Sequence, residues 1–260
     1  MMRTNPSSAT ALRAALSPDA PVPGGLCAIH QPNLFPRLTT LAKLVAADIW
    51  IVLDDVQFTR RDYQHRTRLA ALEDPHRLQW MSISTHLPQG RQTIIREALI
   101  VDPGLARRRT MAMLRQHYGA SPYWPEIAQA LEPIEATFDS GRTASVAEAS
   151  TRFMLDLLGW KGQIFRSTNL SARPGRSQRL ADLTVSVGAG SYLCGTGGMK
   201  YLDAAPFAAQ AIPVIPFLPQ TTGIWVPGRQ VSALWALAML GPGALKEQLQ
   251  TVMATSTSGG

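Results

Sequence analysis

Residues 27–68 read CAIHQPNLFPRLTTLAKLVAADIWIVLDDVQFTRRDYQHRTR, and this stretch decides the fold. A short apolar strand, Leu26 to Ile29, breaks at His30-Gln31-Pro32-Asn33. A helix is expected from about Leu38 to Ala47, and a second strand, Ile49 to Leu53, ends in the paired carboxylates Asp54 and Asp55. Strand, crossover helix and strand in that order predict a right-handed βαβ unit whose two strand C-termini lie side by side on one edge of a parallel sheet. His30 and Asn33 are therefore expected beside Asp54, Asp55 and Gln57, far away in sequence. Polar groups crowded at that edge, followed by Arg60, Arg61, Gln64, His65, Arg66 and Arg68, mark a site for a polar, anionic ligand.

Outward from this unit, residues 1–24 carry Ser, small residues and four prolines without periodicity, and read as a flexible leader with one helical turn near Ala11 to Leu16. On the other side, Arg66 to Leu72 and Arg77 to Ser84 read as short strands. With Thr93 to Val101 they predict a small antiparallel excursion whose loops cover the site. Apolar spacing predicts three helices next, over Pro103 to Tyr118, Pro122 to Phe138 and Ser145 to Gly159, the last stopped by its glycine.

Alternation of strand and helix then resumes, with strands at Gln163 to Ser167, Ser191 to Cys194 and Ala211 to Phe217. Helices are expected at Arg176 to Val187, Gln230 to Leu240 and Ala244 to Val252. The whole predicts a three-layer α/β fold with a mainly parallel sheet, a helical middle segment, one domain over residues 25–252 and a disordered tail over 253–260. Gly195-Thr196-Gly197-Gly198 directly follows a strand. Its glycines either admit an anion close to the backbone, making a second wall of the site, or serve only the turn itself.

Composition narrows the function. Two cysteines, Cys27 and Cys194, are too few for a disulfide framework, no secretory signal opens the chain, and a reducing cytoplasm is the expected setting. No apolar run approaches the roughly 20 residues that span a bilayer, so no membrane role is expected. The net charge of +7 comes mostly from arginine, 21 of the 25 basic residues, whose planar fork suits carboxylate or phosphate. No RNA-binding aromatic motif or DNA-reading element accompanies that charge, so small anionic ligands or an acidic acyl or peptidyl carrier protein are the expected partners, not nucleic acid.

His30 has the side chain suited to proton transfer near neutrality. Adjacent residues of an extended strand point to opposite sides, so one of Asp54 and Asp55 faces the site and the other caps the turn. Two carboxylates without further clustered ligands do not make a metal centre, and no metal is expected. Both cysteines sit inside apolar strands and read as small hydrophobes, not nucleophiles.

His30–Asn33 (HQPN), Ala47–Phe58 (ADIWIVLDDVQF), Arg61–Arg66 (RDYQHR) and Tyr192–Asp203 (YLCGTGGMKYLD) together resemble the WbqC-like proteins, encoded among bacterial polysaccharide and natural-product biosynthetic genes. The chain departs from that pattern at Leu34 and Arg37, where aromatics are expected, and at Trp235, where Asp is frequent. The resemblance implies that His30, Gln31, Asn33, Asp54, Asp55, Gln57, Arg61, Gln64, Arg66, Lys200 and Tyr201 occupy the family's motif positions. It also implies an enzyme that forms an amide or related acyl bond.

On that reading a donor binds near Arg61 and Arg66, His30 takes a proton from an attacking amine, and Asn33 or Gln57 stabilises the carbonyl oxygen. A carrier-protein thioester is the preferred donor. A looser likeness to adenylyltransferases and adenylate-forming ligases makes ATP the candidate cofactor of the alternative, but the turn after His30 lacks the second His and the Gly of that signature. A non-catalytic binding protein for a sugar nucleotide or an acyl carrier is the rival from another class.

Overall fold

The structure is a computed structural model and describes residues 24–257. The expected leader lies almost wholly outside that range. The centre is a five-stranded sheet of β1 (Leu26–His30), β2 (Ile49–Val52), β7 (Gln163–Arg166), β8 (Ser191–Gly195) and β9 (Val214–Phe217), in the spatial order β7-β2-β1-β8-β9 with every neighbouring pair parallel.

Residue alternation explains why both sheet faces are covered. Cys27, Ile29, Ile49 and Ile51 belong to one apolar cluster, while Ala28, Trp50 and Val52 belong to another. A strand apolar on both faces must be sandwiched, and crossover helices supply the layers. On one side pack α1 (Leu38–Val45), α2 (Pro103–Tyr118), α3 (Trp124–Thr137), α4 (Thr143–Leu157) and, late in the chain, α9 (Ala233–Thr257). On the other pack α5 (Arg176–Ser186) and the short α7 (Ala205–Ala208). The single turns α6 (Thr196–Met199) and α8 (Trp225–Gly228) follow β8 and β9.

The helical middle follows the periodicity closely, and Gly159 adopts φ +70° where it ends the α4 region. The antiparallel excursion is real but divided. β3 (Arg66–Ala70) pairs with β4 (Leu78–Ser82), and the two-residue β5 (Thr85–His86) pairs with β6 (Leu99–Ile100). Thr93 to Val101 is therefore not one strand. Ile95–Glu97 is a turn of 3₁₀ helix because Ile95 and Ala98 tuck into a small cluster with Phe58. The final strand begins at Val214, not Ala211, since Ala211 takes a left-handed φ of 54° that interrupts extended backbone.

The last two expected helices are joined as α9 across a break at Gly241 (φ 76°, followed by Pro242), and the helix continues past Val252 to Thr257. Among the described residues no helix is long and apolar enough to cross a membrane.

Candidate active site

The β1–α1 turn is fixed from several directions. The Leu34 amide donates to the Tyr63 carbonyl (2.8 Å) and the Phe35 amide to Ser150 Oγ (2.8 Å). The Asn33 carbonyl accepts from Thr151 Oγ1 (3.1 Å), and the Phe35 carbonyl accepts from Thr67 Oγ1 (3.1 Å). Phe35 is fully buried at φ 42°. A left-handed conformation costs a non-glycine residue roughly 1–2 kcal/mol and persists only where the surroundings over-determine it. Ser150, Thr151 and Thr67 do so here, and the turn places His30, Gln31 and Asn33 at the carboxyl edge of the sheet.

A cavity of about 550 Å³ opens at that edge. Its position follows from strand pairing. β1 and β2 stay in register as far as His30↔Val52, whereas β1 and β8 pair only at Leu26↔Ser191 and Cys27↔Tyr192. Beyond those residues the strands part, at the point where the sheet order reverses on either side of β1. In open parallel sheets ligands bind at that reversal. His30, Gln31 and Asn33 line the cavity from β1, Gly195 to Gly198 from the end of β8, Arg37 and Lys43 from α1 and the residue before it, and Arg176 and Arg179 from α5. A slightly larger hollow of about 610 Å³ between α3 and α4, lined by Ile134, Phe153 and Leu157 among others, contains none of the motif residues.

His30 is half-buried, and its Nδ1–H donates to the Gln31 carbonyl (2.8 Å). A carbonyl only accepts, so Nε2 is left as the unprotonated nitrogen. Burial, then the charge of Lys43, and more weakly that of Arg37, push the imidazole down to about 3, so it is neutral at physiological pH. Gln31 Oε1 accepts from the fully buried Gln64 (2.7 Å), so Gln64 orients Gln31 from outside the cavity.

The acidic pair does not face the cavity. Asp54 is buried and accepts the Thr168 amide (3.2 Å), and Ser167 Oγ lies 2.5 Å from Asp55 Oδ1 and 3.2 Å from Asp54 Oδ1. Burial raises the Asp54 carboxyl above its usual range. Asp55 is desolvated as well, but the Ser167 hydroxyl and Arg179 hold it below the usual range. Asp55 Oδ2 pairs with Arg179, so it reaches the cavity only through that guanidinium. Either orientation expected of the pair is thus replaced by anchoring to the start of the segment after β7.

Other motif residues lie outside the cavity lining. Gln57 donates to the Arg91 carbonyl (2.6 Å) and is exposed. Arg66 donates to the carbonyls of Arg61 (2.6 Å) and Asp62 (3.3 Å) and stacks on Trp80 (4.4 Å), which Arg68 covers as well (4.7 Å). Arg61 and Lys200 are exposed, and the exposed Tyr201 meets the cavity through Arg176, whose guanidinium lies 4.9 Å from its ring.

Gly197 and Gly198 line the cavity but differ. A Cβ at Gly197 would meet nothing within 4 Å, whereas one at Gly198 would lie 2.7 Å from Cys194 Sγ, so Gly198 is required by packing. Cys27 is buried and its thiol is pushed up to about 12. Cys194 is buried and raised too, and neither has thiolate character. Among the described residues no group of three or more His, Cys, Asp or Glu is placed to hold a metal ion.

Three basic cavity residues carried no motif signal, Lys43, Arg176 and Arg179, and a fourth, Arg37, stood out only as a departure from the family pattern. Lys43 is the least expected, because LTTLAKLV reads as an amphipathic core helix and Lys43 falls within it.

A family model described as "WbqC-like protein family" matches residues 31–227. The chain is 27% identical over 187 residues to the uncharacterized protein Rv1507c of Mycobacterium tuberculosis, a match that covers 72% of this chain and 79% of that protein. No solved structure matches.

Proposed function

The chain belongs to the WbqC-like protein family, and from that premise and the cavity's geometry we propose that it is a biosynthetic enzyme that transfers an acyl or aminoacyl group from a thioester to an amine. The observation that carries the reading is His30, held by the Gln31 carbonyl so that a bare Nε2 is available in a cavity ringed by cations.

The amine nitrogen attacks the thioester carbonyl and forms the C–N bond while His30 Nε2 takes the amine proton. The oxygen becomes an oxyanion, stabilised by the Asn33 amide, which lines the same cavity. Collapse breaks the C–S bond, and the thiolate leaves with the proton from the imidazolium. Burial, and then the Lys43 and Arg37 charges, make His30 a weak base. A donor carrying negative charge offsets them and raises His30 towards the range useful for catalysis. The exposed Arg61, the chain neighbour of the cavity residue Asp62, suits an acidic carrier protein that delivers the donor.

A second reading, ATP-dependent adenylate formation, is favoured by one observation: the cavity lies at the reversal of strand order, where parallel sheets hold nucleotides. Incubating the purified chain with acyl thioesters of 4′-phosphopantetheine, amino sugars and ATP, and scoring thiol, pyrophosphate and product mass together, separates the two. Thiol released with amide and without nucleotide consumption is expected. Pyrophosphate release dependent on His30 overturns the thioester route in favour of the adenylate, and saturable binding with no product points to a carrier function.

A further inference from the structure

Lys43 is 6% exposed and sits where β1 and β8 part. Its Nζ donates to the Ile29 carbonyl (3.2 Å) and lies 4.0 Å from the position a Cβ on Gly195 would occupy. An ammonium carries three N–H donors, and no carboxylate of the described residues pairs with it. Across the same cavity, the buried Nε atoms of Arg37 and Arg179 have no hydrogen-bond partner. The four cavity cations face only two carboxylates, Asp62 on the wall and Asp55 behind Arg179, leaving a net charge of about +2.

We propose that this cavity takes a phosphoryl group, with Lys43 as its buried anchor and Arg37 and Arg179 closing on the same oxygens. The proposal rests on the reading of the cavity as the substrate site and specifies the class of substrate it takes. A buried cation without a counter-charge is costly and calls for a resident anion. A phosphate, unlike a single carboxylate, brings two charges and enough acceptors for an ammonium and two guanidinium forks at once. Nucleotides and 4′-phosphopantetheine both carry that group.

Titration of Lys43 gives the site a signature that a structural lysine lacks. Burial lowers Lys43 to about 8. The titratable and charged groups around it are Cys27 and His30 on β1, Tyr192, whose phenol is raised by burial, and Cys194 on β8, and Arg37, Asp62, Arg176 and Arg179 around the cavity. His30 (about 3) and Cys27 (about 12) do not change charge between pH 7 and pH 9.5, and Cys194 is raised. Phosphoryl binding is therefore accompanied by proton uptake at Lys43 above pH about 8, and weakens as pH rises.

The test is calorimetric titration of the full chain with pyrophosphate, ADP, 4′-phosphopantetheine and acetate at about pH 7 and about pH 9.5, in buffers of different ionisation heat. At least one phosphoryl ligand is expected to bind at the lower pH, more tightly than acetate, with proton uptake at the higher. Lys43→Met, with a melting transition showing that it is folded, is expected to weaken binding roughly ten- to hundredfold and to abolish the proton uptake. Arg37→Ala weakens it without removing the uptake. Tighter binding of ADP identifies a nucleotide, and tighter binding of 4′-phosphopantetheine a carrier arm.

Absence of binding by all three phosphoryl ligands, acetate binding as tightly as they do, or unchanged binding in folded Lys43→Met overturns the proposal. Phosphoryl binding without acyl transfer sinks the enzymatic reading and leaves this one standing. Acyl transfer from phosphate-free thioesters that is indifferent to Lys43→Met does the reverse.

Discussion

Lys43 is buried and its charge, after burial, helps to hold the half-buried His30 neutral, and each of the two makes a prediction. Lys43 is held at about 8 against 10.5 in the unfolded chain. Between those values the unfolded chain binds more protons, so stability rises with pH, and below about 8 the full penalty of about 3 kcal/mol is present. Lys43→Met is therefore expected to raise the melting temperature at neutral pH by roughly 5 °C. A lower melting temperature would make Lys43 a structural residue. His30, held at about 3 against 6.5, has the same sign in a lower window. Stability falls as pH drops from about 6.5 towards 3, and His30→Gln flattens that part of a pH-dependent melt. In kinetics, kcat/KM reports the free enzyme and kcat the loaded one. The acidic limb of kcat is expected at higher pH than that of kcat/KM, because the bound anion offsets Lys43 and Arg37. Coincident limbs argue against an anionic donor. His30, Gln31 and Asn33 were legible because polar residues interrupting an apolar strand have no core use. Lys43, Arg176 and Arg179 were not, because a single basic residue on a helix reads as solvated surface until the neighbouring strand is placed.

At the scale of elements, local patterning was enough for most helices and strands, including α2, whose bounds match the periodicity. It failed where tertiary contacts override an extended propensity, as at Ile95–Glu97, or where one left-handed residue delays a strand, as at Ala211. The glycine turn after β8 was legible as a turn, but only the structure divides its residues by role. Gly198→Ala would force a Cβ to 2.7 Å from Cys194 Sγ and is expected to destabilise by about 1–3 kcal/mol in denaturant unfolding, whereas Gly197→Ala should leave stability unchanged. Equal effects of the two would mean that the turn repacks freely. Removing the Ser150 hydroxyl, which accepts the Phe35 amide, is expected to cost about 1–3 kcal/mol and to loosen the turn that carries His30 and Asn33. A Ser150→Ala variant with unaltered stability and activity would show that the turn is held without it.

For the whole molecule, the βαβ start predicted a parallel sheet but could not place β7 and β8 on opposite sides of β1, since either edge accepts a right-handed crossover. That placement moves the site from the β1–β2 side, where Asp54 and Asp55 are anchored to Ser167, to the gap between β1 and β8. The net charge of +7 thereby acquires a location, because four of its cations meet in one cavity. A carrier protein approaching that cavity would meet the exposed Arg61, so Arg61→Glu is expected to raise KM several-fold for a carrier-bound donor while leaving a free pantetheine thioester unaffected. Equal effects on both donors would place Arg61 outside any carrier contact. The claim that His30 is the base of an acyl transfer is tested most directly by the single-turnover rate of amide formation from a thioester in wild type and His30→Ala. A fall of roughly 10² to 10⁴ at neutral pH with the fold intact is expected, and an unchanged rate would remove His30 from the chemistry.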